Sequence, residues 1–256
     1  MKEHWSRWFL LSVVVSLGAH AKDVRLVTGD GYAPLTGRAL AGAGLLSQVV
    51  QAAFVRSGIT STLAWQPWNR GYLMTLRGAY DAAFPYIRVD QRERDFLYSA
   101  PLYVSEQHIF SRATDAIELE DLPQVSGRRL CHPLGWQLPD VVQALIEQGV
   151  LVRHSPQGLS ECAVLLLLGR DDFFLADLHL GNYALRSTAA PRLHFHMSSS
   201  VLSRQTMHLI VPRGHAGAGE LLEQFDRGLA ALRASGEYQH LRERFLADEA
   251  STARNP

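Results

Sequence analysis

The sequence has no surplus of charge of either sign: 25 Lys and Arg stand against 25 Asp and Glu. Neutralising phosphates takes clustered excess cations, and no run of five basic residues occurs, so nucleic acid is excluded as a partner. No stretch approaches the ~18–20 apolar residues that span a bilayer, which excludes a polytopic membrane protein. G-x-S-x-G, P-loop and H-E-x-x-H patterns are missing. Cysteine is scarce, with 2 residues, and neither lies in a C-x-x-C pair or a metal-ligand spacing, so zinc and thiol redox catalysis are not indicated. What is present is an ordinary globular composition, 47% hydrophobic, which argues against disorder, collagen and coiled coil. At ~150 residues per domain, 256 residues allow one large domain or two lobes.

The first 21 residues read separately. Lys2 and Arg7 give a basic start, Trp8 to Leu17 an apolar run, and Ala19-His20-Ala21 an A-x-A ending. These are the three parts of a secretory signal, and the run is too short for a stable span; an uncleaved anchor is the alternative. Losing Lys2, Glu3 and Arg7 leaves 235 residues with a net charge of −1. Export in a bacterium means the periplasm. In that oxidising compartment an even cysteine count favours a Cys131–Cys162 disulfide over two buried thiols. Closing a loop of about 30 residues would contribute roughly 3–4 kcal/mol.

Beyond residue 22 the apolar pattern alternates between strands and helices. Residues 23–28 read as a strand that ends in the loop Gly29 to Leu35. Leu45, Leu46, Val49, Val50, Ala53 and Phe54 form a helical stripe over 44–56, stopped at Gly58. A β-rich segment at 60–65, an amphipathic one at 68–78 and a strand at 81–86 follow. After a strand at 106–112 the pattern restarts, with strands at 129–131, 150–154 and 172–176 and helices at 140–148 and 159–168. A second extended stretch, 207–212, leads into helices around 221–232 and 238–246. This is an α/β protein with mostly parallel sheets, and the two extended stretches are candidates for crossing between lobes. No internal sequence repeat is visible.

Several short segments then occur in a telling order. Tyr32-Ala33-Pro34-Leu35 follows the first strand, and Trp68 precedes Leu76-Arg77-Gly78 and Asp81. Val89-Asp90-Gln91-Arg92-Glu93-Arg94-Asp95 leads into Phe96-Leu97-Tyr98-Ser99-Ala100-Pro101-Leu102, and Leu168 to Asp177 supplies the second-lobe segment. The ending Leu229 to Tyr238 completes the set. In these the chain resembles the bacterial periplasmic solute-binding proteins of family 3, which serve polar amino-acid ABC transporters, over nearly all of the exported part. The resemblance implies a type II periplasmic-binding fold of two lobes, roughly 22–112 with 206–256, and 113–205. It also implies hinge closure on a small ligand and delivery to a membrane permease, by a protein that is monomeric and needs no cofactor.

By resemblance, Arg92 would fork onto a ligand carboxylate and Asp177 would take an ammonium. Tyr32 and Trp68, with Trp65 and Tyr86 nearby, would stack on the ligand, adding a cation–π contribution if it is cationic. Alternatives from the residues themselves stay open. Arg92 lies among Asp90, Glu93, Arg94 and Asp95 and could belong to a solvated charge cluster. Asp177 could cap a helix, and Tyr32 and Trp68 could be core. The chain also departs from the family pattern. Where Ser or Thr residues usually precede the Arg, it reads Phe84-Pro85-Tyr86-Ile87-Arg88-Val89, and Pro85 removes an amide donor. The resemblance implies an amino acid or related carboxylate as ligand, and the missing hydroxyls leave a modified amino acid or another small anion open.

Other functions leave weaker traces. His194 and His196 could share a strand face, but no third ligand is evident. Asp171 and Asp172 are adjacent and point apart in regular structure, so they form no carboxylate dyad. Residues 214–219 are glycine-rich without a Lys-Ser/Thr signature and read as a loop. A few proteins of this fold are periplasmic dehydratases acting on prephenate-like acids, yet no general acid can be named. The same module also serves as a sensor input that presents ligand to a membrane receptor.

Overall fold

The computed structural model describes residues 23–252 apart from 121–124, with side chains as far as residue 245. The expected secretory segment lies outside the described residues. Strand β1 (Val24–Thr28) pairs in parallel with β2 (Ser61–Trp65) on one side and β3 (Ala82–Ile87) on the other. Helix α1 (Leu45–Arg56) buries the stripe legible in its sequence. It packs against α7 (Ala218–Ala234). The two helices meet at Gly228, where a Cβ would lie 2.0 Å from the Ala53 carbonyl oxygen. Any side chain there would force them apart.

Next come α2 (Trp68–Leu76), α3 (Asp90–Glu93), β4 (Phe96–Tyr98) and the long β5 (Tyr103–Arg112). A second βαβ series follows: β6 (Arg129–Cys131), α4 (Asp140–Glu147), β7 (Val152–His154), α5 (Leu159–Leu167), β8 (Phe173–Ala176) and α6 (Leu178–Arg186). Here β6 pairs in parallel with β7 and β8. Strands β9 (Phe195–Met197) and β10 (Ser203–Pro212) lead into α7 and α8 (Glu237–Thr252).

Two strands tie these sheets together. The first half of β5, Tyr103–Gln107, pairs antiparallel with Ser203–Met207 of β10. The second half of β5 then pairs with β8 and β9, while the second half of β10 pairs with β3 and β4. Each sheet thus has its second, first and third strands in order, then the strand arriving from the other lobe, then its fourth. The topology repeats although the sequence does not. This is the two-lobed α/β arrangement of the type II periplasmic-binding fold.

Both crossing strands start earlier than their sequence suggests, at residue 103 rather than 106 and at 203 rather than 207. The added residues Ser203-Arg204-Gln205-Thr206 carry no apolar alternation, because the ribbon between the lobes is only partly covered. Helix α6 is absent from the apolar pattern of the sequence, but Asp177 caps it, accepting the N–H groups of His179 and Leu180. Cys131, at the end of β6, is bonded to Cys162 of α5 with their Cα atoms 5.4 Å apart. Among the described residues no helix is long and apolar enough to cross a membrane.

Candidate functional site

The loops at the C-terminal ends of the parallel strands converge between the two sheets, where this class of topology places ligands. After β1 the chain turns through Gly29-Asp30-Gly31 into Tyr32, which bridges to Thr36. Gly29 is needed for what lies above it: a Cβ there would come 2.2 Å from the Trp68 ring. Trp68 opens α2, and the Tyr86 hydroxyl donates to its carbonyl at 2.9 Å. The rings meet edge-on, Trp68 with Tyr86 at 6.0 Å and Tyr32 with Trp68 at 5.6 Å.

Arg92, in α3, turns back onto this aromatic wall. Its Nη1 donates to the Ile87 carbonyl at 3.2 Å, and its guanidinium stands over Tyr86 at 5.3 Å and Tyr72 at 5.6 Å. The acid beside it in sequence, Glu93, pairs with Arg88 instead. Among the described residues no carboxylate pairs with Arg92.

The opposite wall comes from the loop after β6. Trp136 packs edge-on against Tyr32 at 4.3 Å, between Gly135 and Gln137. The floor comes from the crossing strands, with Gln107 of β5 and Met207 of β10; the Tyr32 hydroxyl donates to the Met207 sulfur at 3.7 Å. Together these residues, with Pro85 and Ile87, line an open cavity of about 50 Å³. Outside it a groove of about 770 Å³, bordered by Arg38, Arg70, Gln157, Glu161 and Tyr183, reaches the same Trp68–Gly135 rim.

The structure brings Arg92, Tyr32, Trp68 and Tyr86 together on this cavity. Asp177 is buried nearby but does not line it. Its Oδ1 caps α6 at 3.0 Å from both amides, and its Oδ2 accepts the Ser105 hydroxyl at 3.1 Å. Burial pushes its carboxyl above the usual range, outweighing these hydrogen bonds. Trp65 lies apart, under the Arg38 guanidinium. Trp136, Gln107 and Met207 also line the cavity and lie in none of the ordered motifs. Trp136 could have been found by the rule that exposes Tyr32, since both sit in the loop after the first strand of a βαβ series.

The phenols of the cavity are poor acids. Burial raises Tyr32 far above its ordinary value, and Tyr86 is raised by burial against the opposing pull of Arg92. Among the described residues one group of potential metal ligands converges, Cys131, His154 and Asp171. Cys131 is held in the disulfide, and His154 Nδ1 lies 2.9 Å from Asp171 Oδ2. His196 faces Glu118 at 2.8 Å, whereas His194 sits in the turn before β9. Asp172 points away from Asp171, toward Arg112.

No curated protein sequence matches the chain. Among solved structures it is similar to the GluR0 ligand-binding core from Nostoc punctiforme in complex with L-glutamate. The TM-score is 0.71 at 18% identity, over 86% of this chain and 98% of that one. The arginine-, lysine-, histidine-binding protein ArtJ from Geobacillus stearothermophilus gives 0.71 at 16% identity, over 88% and 96%. A histidine kinase sensor domain with similarity to periplasmic binding proteins gives 0.73 at 24% identity, over 88% and 96%. These likenesses show a shared fold. The model of the bacterial extracellular solute-binding proteins, family 3, matches residues 24–248. The chain belongs to that family.

Proposed function

We propose that this protein captures a small carboxylate-bearing solute in the cavity between its lobes and hands it to the permease of an ABC transporter. The observation that carries this is Arg92: a guanidinium on an aromatic wall, facing the second lobe, with no carboxylate of its own among the described residues. A guanidinium so placed supplies two parallel donors to a ligand carboxylate, and lobe closure strengthens the pair by excluding water. Tyr32, Trp68 and Tyr86 are the packing surface for the rest of the ligand, and Asp177 stands behind them as the cap of α6. The lobes are residues 22–112 with 206–256, and 113–205, in a monomer exported to the periplasm by residues 1–21.

Binding without turnover fits the lining. It contains no His, Asp, Glu or Cys, and its phenols are held protonated by burial. The likeness to a histidine kinase sensor domain supports a second reading, in which the closed form is presented to a membrane receptor rather than to a permease. Thermal unfolding against a panel of amino acids, amines and small carboxylates tests the capture itself. Ligand at a hundred times its Kd should stabilise by about 2.7 kcal/mol, and Arg92→Ala should abolish the shift. A panel with no shift, or an identical shift in the variant, refutes the reading.

A further inference from the structure

The charges around the cavity do not match a zwitterion. Of its lining residues only Arg92 is ionised at neutral pH. Asp177, the acid that the family resemblance assigns to an ammonium, is 3% exposed and does not line the cavity, and both its oxygens are already hydrogen-bonded inside the protein. An ammonium carried into the closed cavity would leave water without an anionic partner and would face a guanidinium.

What the cavity offers instead is neutral. Gln107, 6% exposed, has no hydrogen bond to its side-chain amide among the described residues, and its Oε1 is buried without a partner. Trp68 Nε1 and Trp136 Nε1 are likewise buried donors without acceptors. Two indole N–H groups and a guanidinium beside the amides of Gln107 and Gln137 make a lining rich in donors, which suits an acceptor-rich anion.

We infer that the ligand is a small monocarboxylate with a neutral hydroxy or oxo group, and no ammonium, beside its carboxylate. Arg92 holds the carboxylate, Gln107 pairs with the neutral group, and the indoles of Trp68 and Trp136 serve the remaining acceptor lone pairs. This rests on the reading of the cleft as a solute site and deepens it.

Titration calorimetry of the full chain at neutral pH with two matched pairs tests it: glycolate against glycine, and L-lactate against L-alanine. Each hydroxy acid should bind at least tenfold tighter than the amino acid of the same skeleton. Gln107→Met should reduce glycolate to the affinity of acetate. Gln107→Glu, which places an acid on the lining, should shift the preference toward the amino acid. An amino acid that binds as tightly as its hydroxy partner overturns the inference, as does amino-acid binding lost in Asp177→Asn but kept in Gln107→Met. If all four probes fail while a zwitterion from the wider panel binds through Arg92, the inference falls and the solute-binding reading stands. If nothing in that panel binds, both fall.

Discussion

Removing the Cys131–Cys162 bridge tests how the second lobe is held together and how tightly that is tied to the site. The two cysteines are separated by 31 residues. On the chain-entropy model a loop of that length removes about 12 cal/mol/K from the unfolded ensemble, or ~3.7 kcal/mol at 25 °C. For a chain of this size each kcal/mol moves the midpoint by about 2–4 °C, so Cys131→Ala with Cys162→Ala should unfold roughly 7–15 °C lower. Both positions are fully buried, and the small void left by the sulfurs adds in the same direction. β6 ends at Cys131 and runs directly into residues 132–137, whose Gly135, Trp136 and Gln137 form one wall of the cavity. Because the bridge acts chiefly on the unfolded chain, ligand affinity should stay within about twofold while the midpoint drops. Calorimetric unfolding and ligand titration on the same double variant measure both. A midpoint unchanged within 2 °C, or two free thiols titrated in the denatured, unreduced parent, would refute the reasoning.

Other expectations follow from single residues. Arg92→Ala should weaken the cognate ligand by at least ~100-fold, since a desolvated carboxylate loses its partner, and Arg92→Lys should recover only part of that; titration calorimetry measures both. His132 is 1% exposed, and burial, aided by Arg153, brings its pKa down to about 3. Its folded value thus lies below the unfolded one near 6.5, so the stability it contributes is complete above that pH. It is lost on acidification at up to about 1.4 kcal/mol per pH unit between roughly pH 6 and 3. Urea midpoints at pH 7 and pH 5 should therefore differ less in His132→Gln than in the parent, and an equal drop would contradict this. Asp177→Ala should cost about 1–2 kcal/mol through loss of the α6 cap, whereas Asp177→Asn should cost far less; chemical denaturation separates them.

The fold was largely legible because its elements follow strong local rules. Leu45 to Phe54 spell one buried helical face, and the short β-rich runs between helices allow few sheets other than parallel ones. Other parts of the chain carry no such local signature. Ser203 to Thr206 belong to β10 through partners a hundred residues away in β5, so no local alternation marks them. Asp177 carries the capping side chain of α6, but Leu180 stands where a capping box would place Glu or Gln. Of the residues that line the cavity, Tyr32, Trp68 and Arg92 lie in the ordered motifs, and Tyr86 lies beside them in the sequence. Trp136 and Gln107 join them only through the juxtaposition of the lobes: one sits in an irregular loop, the other on a strand whose cleft-facing side is set by register.

The strand exchange between the sheets also bears on the order in which the chain folds. Every strand of the second lobe's sheet lies within residues 103–197, so that sheet can form as soon as this contiguous stretch has emerged. The first lobe's sheet is assembled from both ends of the chain. Its β3 and β4 have no hydrogen-bonded contact with each other and are joined only through β10, near the end of the sequence. During vectorial synthesis β4 must therefore wait for residues 203–212 before it can join the sheet of β1 to β3, while the second lobe already offers a folded template. Pulse-labelled hydrogen exchange should find the amides of β6 and β8 protected before those of β4. Substitutions that slow folding should cluster in the second lobe, and those in the first should chiefly speed unfolding.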